Sequence, residues 1–350
     1  EKEIILPKKK LQPFWPYLLV ILIVCLLFIF LYYSKKPIDE DTVYLELITK
    51  NPAFPQVLSF SYKVPDNGFY FSLIPKSFLP YIMLHEQKDV LLSEKDTVVN
   101  YKVAMPEHFL AIIIKNDEVV FQKEISFKTA GWLGILQSKE RKSRNYSRYN
   151  NIAFKPSFTE STLKMPNRIF EHIEENLLDR YFETNFININ HYEIDANEMV
   201  FETRFQNIGN PTFISSQLNR LSLLTTNGMI EIPVVNENNI QQAKIWFSDH
   251  KVGYEKSSMQ QYVIRDISNR WINLRIEVAG FEGNIYIDGK LVDTIKYNRP
   301  LGELTGIRYK FSENGKIDYC SIKNIDGDTL FYDPFEDSNT PEITNISVSK

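Results

Sequence analysis

Alternation of apolar and polar positions is the main pattern of this chain beyond residue 42. Segments 58–64 and 271–278 place apolar residues at every second position, which is typical of strands with one buried face. Asp288-Gly289 separates two such segments, and this dipeptide favours a type I′ hairpin turn. The pattern predicts an all-β protein built from short strands.

One segment breaks this alternation. Residues 14–33 form a run of twenty without a charge, the length with which a helix crosses a bilayer core about 30 Å thick. Trp15, Tyr17, Tyr32 and Tyr33 lie at its two ends, where aromatic rings prefer the headgroup region. A cleaved signal peptide fits less well, because its apolar core spans about 7–15 residues and a small-residue cleavage site follows. The run therefore predicts a single transmembrane helix as a membrane anchor.

Charges around this run predict its orientation. Lys2 and residues 8–10 supply four lysines before it and Lys35 and Lys36 two after it, which favours a cytoplasmic N-terminus. Only Cys25 and Cys320 occur, and Cys25 lies in the apolar run, so no disulfide is expected to brace the outer part. We expect a bacterial inner-membrane protein with the bulk in the periplasm. Residues 1–13 are then a cytoplasmic tail, expected to be incomplete because the chain starts at Glu1.

A first β domain is predicted over residues 42–130, as a small β-sandwich. Segments 54–62 (FPQVLSFSY) and 105–111 (MPEHFLA) resemble those of PKD-like, immunoglobulin-type domains. The resemblance implies a domain that acts as a spacer or binds a partner.

Residues 131–179 are predicted to be a basic linker with a short helix. Its cations are Lys139, Arg141, Lys142, Arg144 and Arg148. They fit a solvated linker, or contact with phosphate, anionic lipid or an acidic protein. The helix is expected from Pro166 to Phe182, because Pro166 suits a first helical turn.

A second β domain is predicted over residues 180–338, followed by a tail at 339–350. Segments 201–205 (FETRF), 271–278 (WINLRIEV) and 285–290 (IYIDGK) resemble the concanavalin A-like, laminin G-like jelly roll. The predicted fold is thus an N-terminal transmembrane helix, a small β-sandwich and a jelly-roll sandwich. The combination is similar to that of envelope proteins of Bacteroidota.

Glu193, Asp195 and Glu198 form the most suggestive catalytic pattern. Their E-x-D-x-x-E spacing resembles the catalytic strand of glycosidases in the same superfamily. Retaining hydrolysis needs two carboxyl groups about 5–5.5 Å apart. However, the motif precedes the opening strand, and Asp195-Ala196-Asn197 is typical of a turn. We therefore favour a surface turn and expect the protein not to be an enzyme.

Binding candidates are fewer. Trp246 precedes a polar segment and is a candidate for stacking on a sugar ring, although a core position is the simpler interpretation. Asp326 and Asp328 are candidate calcium ligands, but Asp-Gly-Asp is also typical of a turn. No other cofactor is expected.

The net charge of −4 argues against a nucleic-acid partner for the outer domains. The predicted function is that of a non-enzymatic membrane-anchored protein whose periplasmic β domains bind other envelope proteins, as an accessory subunit of a membrane complex. The alternative is a glycan-binding module or a sensor on the periplasmic side.

Overall fold

The computed structural model describes residues 21–26, 42–49, 56–94, 97–103, 105–140, 150–159, 161–167, 169, 180–208, 218–253, 257–265, 267, 270–335 and 345–348. The chain divides into two compact units, Glu1–Thr42 and Val43–Lys350. Residues 21–26 of the first unit are helical. Within the described ranges, no helix is long and apolar enough to cross a membrane. Most of the predicted span 14–33 lies outside those ranges, as do Trp15, Tyr17, Tyr32 and Tyr33.

The second unit is built from strands, which confirms the all-β prediction. Their bounds are β1 Tyr44–Leu47, β2 Gln56–Lys63, β3 Phe69–Pro75, β4 Val90–Leu92, β5 Val98–Val103, β6 Phe109–Lys115, β7 Glu118–Lys128, β8 Leu133–Glu140, β9 Asn150–Phe154, β10 Ser157–Thr159, β11 Thr162–Lys164, β12 Arg180–Ile189, β13 Glu198–Asn207, β14 Leu218–Thr225, β15 Gly228–Val235, β16 Lys244–Phe247, β17 His250–Gly253, β18 Trp271–Ala279, β19 Glu282–Ile287, β20 Lys290–Lys296, β21 Leu304–Ser312, β22 Gly315–Lys323, β23 Thr329–Asp333 and β24 Asn345–Val348. Short 3-10 helices span Lys76–Tyr81, Leu84–Glu86, Glu237–Gln242 and Ser257–Tyr262.

A small sandwich is formed by the first seven strands and β24. One sheet has the order β1-β2-β5 and the other β24-β7-β6-β3-β4. Phe60 and Phe71 are fully buried, with ring centroids 5.1 Å apart. Asn116 and Asp117 turn β6 into β7 with φ values of 52° and 64°, as a type I′ turn requires. These two residues therefore close the β6-β7 hairpin.

A larger sandwich is formed by two eight-stranded sheets. The front sheet has the order β17-β16-β15-β14-β21-β12-β8-β9, and the back sheet β10-β11-β22-β13-β18-β19-β20, with β23 beside β22. Alternation in β18 buries Ile272, Leu274, Ile276 and Val278 between the sheets, as predicted. The turn at Asp288-Gly289 has φ values of 52° and 78°, which confirms the type I′ prediction.

The segment predicted to be a linker differs in the structure. Strands β8 to β11 lie within residues 131–179, and they extend both sheets of the larger sandwich. Asn167 is helical, as predicted, but Arg180–Phe182 already belong to β12 rather than to the helix; residues 170–179 lie outside the described ranges. Lys139 lies in β8, while Arg141, Lys142, Arg144 and Arg148 lie outside them. The sequence of β8, LGILQSKE, does not alternate strictly and therefore does not predict a strand. Its partner β12 lies 40 to 54 residues further on, which a local pattern does not specify.

The predicted tail at 339–350 also differs. Its residues Asn345–Val348 form β24, an edge strand that pairs antiparallel with β7. The sequence NISV alternates polar and β-branched residues, and the strand forms on the sheet edge that β7 presents.

The two sandwiches meet on the outer face of the front sheet. Ile135 and Ile187 point away from the core of the larger sandwich, yet both are fully buried. Strand β7 lies against β12, and the 3-10 helix Lys76–Tyr81 lies against β15. The amide of Thr129 donates to the carbonyl of Ile189 at 2.9 Å, where the chain passes from one sandwich to the other. The small sandwich thus covers an apolar part of this face.

Candidate functional site

A cleft lies on the part of the outer face that the small sandwich leaves open. Its volume is about 340 Å³. The described lining residues are Phe78, Met105, Gln137, Asn185, Arg220, Met229, Glu231, Lys244, Trp246, Arg308 and Lys310. Six neighbouring strands of the front sheet supply the floor, from β8 to β16 in the order of the sheet, and two segments of the small sandwich supply a wall.

Strand alternation places the cationic side chains in the cleft. In β21, Ile307, Tyr309 and Phe311 point into the core, so Arg308 and Lys310 point outward. In β14, Leu221 and Leu223 are core residues, and Arg220 and Ser222 face outward beside them. Three cationic side chains therefore share one face of two adjacent strands.

Glu231 of β15 is the centre of a hydrogen-bond network on the floor. The hydroxyl of Ser222 donates to its carboxylate at 2.9 Å, and Nη2 of Arg308 lies 3.3 Å from the same oxygen. Arg308 also donates to Ser222 Oγ at 3.1 Å. Nε of Arg220 lies 3.8 Å from the other carboxylate oxygen. One carboxylate is thus shared between two guanidinium groups.

Lys310 has its own partner. Its ammonium lies 2.6 Å from the carboxylate of Glu183 in β12. Burial nevertheless lowers the pKa of Lys310, and the positive charges of Arg220 and Arg308 act in the same direction, whereas Glu183 opposes them. Asn185, two residues after Glu183 on the same strand, donates to the side chain of Gln137 at 3.3 Å. Two amides therefore continue the polar floor beyond the lysine.

The wall of the cleft is held in place by the fold of the small sandwich. Sheet β24-β7-β6-β3-β4 buries a second apolar face, where Leu79 and Ile82 pack against a cluster formed by Ile74, Leu110, Ile112 and Ile114. This contact anchors the 3-10 helix Lys76–Tyr81 and leaves Phe78 and Tyr81 to reach the front sheet.

Glu107 lies behind the wall of the cleft, in the segment that precedes β6. It is 4% exposed, and its carboxylate accepts a hydrogen bond from the amide of Ser77 at 3.1 Å. Burial raises the pKa of Glu107, and the positive charge of Arg308 acts against this shift. A carboxyl group of the small sandwich is thus coupled electrostatically to the floor of the cleft.

Trp246 lies in strand β16 between the core residues Ile245 and Phe247, with its own side chain on the outer face. Tyr81 meets its ring edge-on at a centroid distance of 4.2 Å, and Phe78 does so at 5.9 Å. The ammonium of Lys251 lies 4.2 Å from the ring centroid. The tryptophan is therefore neither in the core nor on a loop, but joins the two sandwiches at the edge of the cleft.

Glu193, Asp195 and Glu198 are exposed and lie elsewhere: the first two precede β13, and Glu198 is the first residue of that strand. Asp195 accepts hydrogen bonds from the backbone amide of Asn197 at 2.9 Å and from its side chain at 2.7 Å. The amide of Glu198 donates to the carbonyl of Asp195 at 3.2 Å. This geometry is an Asx turn, and the structure brings none of the three side chains into the cleft.

Asp326 and Asp328 lie in the turn between β22 and β23. The amide of Asp328 donates to the side chain of Asn324 at 2.7 Å, and the amide group of Asn324 donates back to Asp328 at 3.0 Å. In the part of the chain that the structure describes, no group of three or more histidine, cysteine or acidic side chains is arranged to hold a metal ion. The calcium site stays a prediction.

The main residues of the cleft were missed by sequence analysis. Arg220, Arg308 and Lys310 each alternate with core residues, which by itself is typical of a solvated strand face. One signal was present: both strands are otherwise strongly apolar, and β14 and β21 carry their only cations on the same outward side.

Comparisons with known proteins concern the fold. No protein-family model matches the sequence, and no curated protein matches it. Similar solved structures include a carbohydrate binding module, CBM66, from Bacillus subtilis (11% identity, 43% of this chain and 86% of that one, TM-score 0.26). They also include a family 7 alginate lyase (9%, 56% and 95%, TM-score 0.30) and a sialidase (11%, 82% and 27%, TM-score 0.32).

Proposed function

We propose that the cleft on the front sheet is a carbohydrate-binding site. The observation that carries this proposal is a concave site of about 340 Å³ in which polar side chains converge on an otherwise apolar sheet. Ligand sites combine a mostly apolar lining with a few polar groups that fix orientation. The volume is at the lower end of the usual range, which suits one or two sugar units.

The chemistry of the lining supports the same proposal. Sugar hydroxyls both donate and accept hydrogen bonds, and the side-chain amide of Gln137 in the cleft lining does the same. Guanidinium groups add donors in a fixed plane. Phe78 and Trp246 supply apolar surface for the C–H faces of a sugar ring.

The small sandwich is part of this site rather than a spacer. Phe78 and Met105 belong to it and line the cleft directly. Both sandwiches lie in one compact unit, Val43–Lys350. The ligand is therefore expected to contact residues that are more than 200 positions apart in the sequence.

Titration calorimetry of the full chain in mild detergent against a panel of oligosaccharides tests the proposal. Trp246→Ala is expected to weaken binding by about tenfold, corresponding to about 1.4 kcal/mol. Trp271→Ala is the matched control, because this tryptophan lies on the back sheet with the guanidinium of Arg204 and the ammonium of Lys316 each 4.8 Å from its ring centroid. Equal losses of affinity in both variants, or no binding of any oligosaccharide in the panel, would refute the cleft as a glycan site.

The apolar run at 14–33 supports a further part of the proposal. We propose that it anchors the chain in a bacterial inner membrane, with the cleft on the periplasmic side. Binding to other envelope proteins and the absence of enzymatic activity stay predictions. Purification from native membranes with mass spectrometry of co-migrating proteins tests the former, and recovery of the protein alone would contradict it.

A further inference from the structure

We infer that the ligand of this cleft is an acidic glycan, a sugar chain that carries carboxylate or sulfate groups. The inference rests on the proposed function and names the class of ligand. It starts from a difference in charge. The whole chain has a net charge of −4, whereas the described lining of the cleft holds four cations and one carboxylate. The cations are Arg220, Lys244, Arg308 and Lys310.

Positive charge is concentrated further by the strand register. Arg220 of β14 lies directly opposite Lys310 of β21, and Ser222 lies opposite Arg308. Side chains at directly opposite positions have Cβ atoms about 4.5–5.5 Å apart, and like charges there destabilise a sheet. The fold therefore maintains a repulsive contact that no packing requirement explains. Local conflicts of this kind are expected at functional sites.

Internal partners neutralise this charge only in part. Glu231 is shared between Arg220 and Arg308, while Glu183 pairs with Lys310. Nε of Arg220 is buried and makes no hydrogen bond, although buried polar atoms nearly always have a partner. Glu107 lies behind the wall of the cleft, and burial raises the pKa of its carboxyl group while the positive charge of Arg308 opposes the shift. An anionic group bound on the floor would relieve the repulsion.

The shape of the donors favours an oxyanion over a neutral sugar. A guanidinium presents N–H groups in a planar fork that matches the two oxygens of a carboxylate or two oxygens of a sulfate. Arg220 and Arg308 lie on neighbouring strands, and their side chains are 22% and 15% exposed. Nη2 of Arg220 already donates to the carbonyl of Gln242 at 3.2 Å, and Arg308 donates to Ser222 and Glu231, so the remaining N–H groups of the two guanidinium groups are those left for a ligand. At such partly buried positions, salt screens the interaction less than on the surface.

The test compares ligands that differ only in charge. The full chain in mild detergent is titrated with a galacturonate hexamer, with the same hexamer after reduction of its carboxyl groups, and with a sulfated oligosaccharide of similar length. We expect the charged hexamer to bind at least tenfold more tightly than the reduced one. Affinity is expected to fall severalfold when salt is raised from 50 to 300 mM. Binding of the sulfated ligand alone would still support the inference and assign the anion as sulfate.

Three variants test whether the preference for the charged ligand comes from the cleft. Arg220→Gln is expected to weaken binding of the charged hexamer by tenfold or more and that of the reduced hexamer by less than twofold. Lys244→Ala, at an exposed position with little effect on folding, is expected to cause a loss of about threefold. Arg275→Gln is the control, because this arginine lies on the back sheet in ion pairs with Glu202 and Glu277.

The outcomes separate the two proposals. Equal affinity for charged and reduced hexamers, with no effect of Lys244→Ala, would overturn the acidic ligand and leave carbohydrate binding in place. If no oligosaccharide binds at all, carbohydrate binding itself fails.

Discussion

His108 provides a prediction about pH that can be worked out from the structure. It lies at the junction of the two sandwiches, next to Glu107, and its Nε2 atom is buried without a hydrogen-bond partner. Burial lowers the pKa of His108 from its ordinary value of 6.5 to about 4, and the charges of Lys76 and His191 act in the same direction. Glu124 and a hydrogen bond with the backbone of Thr305 oppose the shift.

The sign of the effect follows from linkage. Between pH 6.5 and pH 4 the unfolded chain binds a proton at this position and the folded chain does not, so stability falls as the pH falls. The full shift corresponds to about 3 kcal/mol, at about 1.4 kcal/mol for each pH unit. Lowering the pH from 7.5 to 5 is then expected to remove about 2 kcal/mol of unfolding free energy through this histidine.

This loss is measured by urea denaturation of the full chain at pH values between 7.5 and 5, with tryptophan fluorescence as the signal of unfolding. Because carboxyl groups also titrate toward the acidic end, the relevant quantity is the difference from His108→Gln, which lacks the titrating group. The wild type should lose about 2 kcal/mol more than this variant. His85→Gln, an exposed histidine of the same sandwich, is the control and should follow the wild type. Parallel curves for wild type and His108→Gln would refute the reasoning.

Two further predictions concern the core of the larger sandwich. Cys320 is fully buried, and burial raises the pKa of its thiol, so a thiol reagent should leave it unmodified until urea unfolds the chain; modification of the Cys320 peptide in native buffer would contradict this burial. Gly283→Ala places a Cβ atom 2.1 Å from the buried ring of Phe247 and should lower the unfolding free energy by about 1–3 kcal/mol. Gly253→Ala meets nothing within 4 Å and should stay within about 0.5 kcal/mol of the wild type, so equal effects of the two substitutions in thermal unfolding would show that the sheets are not packed as described.

Local patterns explain what sequence analysis predicted of the fold. The alternation in β18 and the turn at Asp288-Gly289 depend on neighbouring residues only, and both are confirmed. Strand β12 was missed because Thr184 and Asn185 are polar residues on opposite faces of the strand, so its sequence shows no alternation of apolar and polar positions. Both side chains are nevertheless buried. Its partners β8 and β21 lie more than 40 and more than 100 residues away, beyond what a local pattern specifies.

The candidate site was predictable to a smaller extent. Trp246 was singled out, and it lies at the edge of the cleft, but its contacts with Phe78 and Tyr81 depend on how the two sandwiches pack. The spacing of Glu193, Asp195 and Glu198 resembles a glycosidase motif, whereas in the structure the side chain of Asp195 stabilises a turn. Arg220 and Lys310 become a site only through the pairing of β14 with β21, 90 residues apart in the sequence.

A crystal structure of the chain with a bound galacturonate oligomer tests the central claim most directly. The account predicts sugar density in the cleft, with a carboxylate within hydrogen-bond distance of Arg220 or Arg308 and a ring beside Phe78 or Trp246. Sugar bound instead on the back sheet, near Glu202 and Tyr286, with the cleft empty, would contradict it.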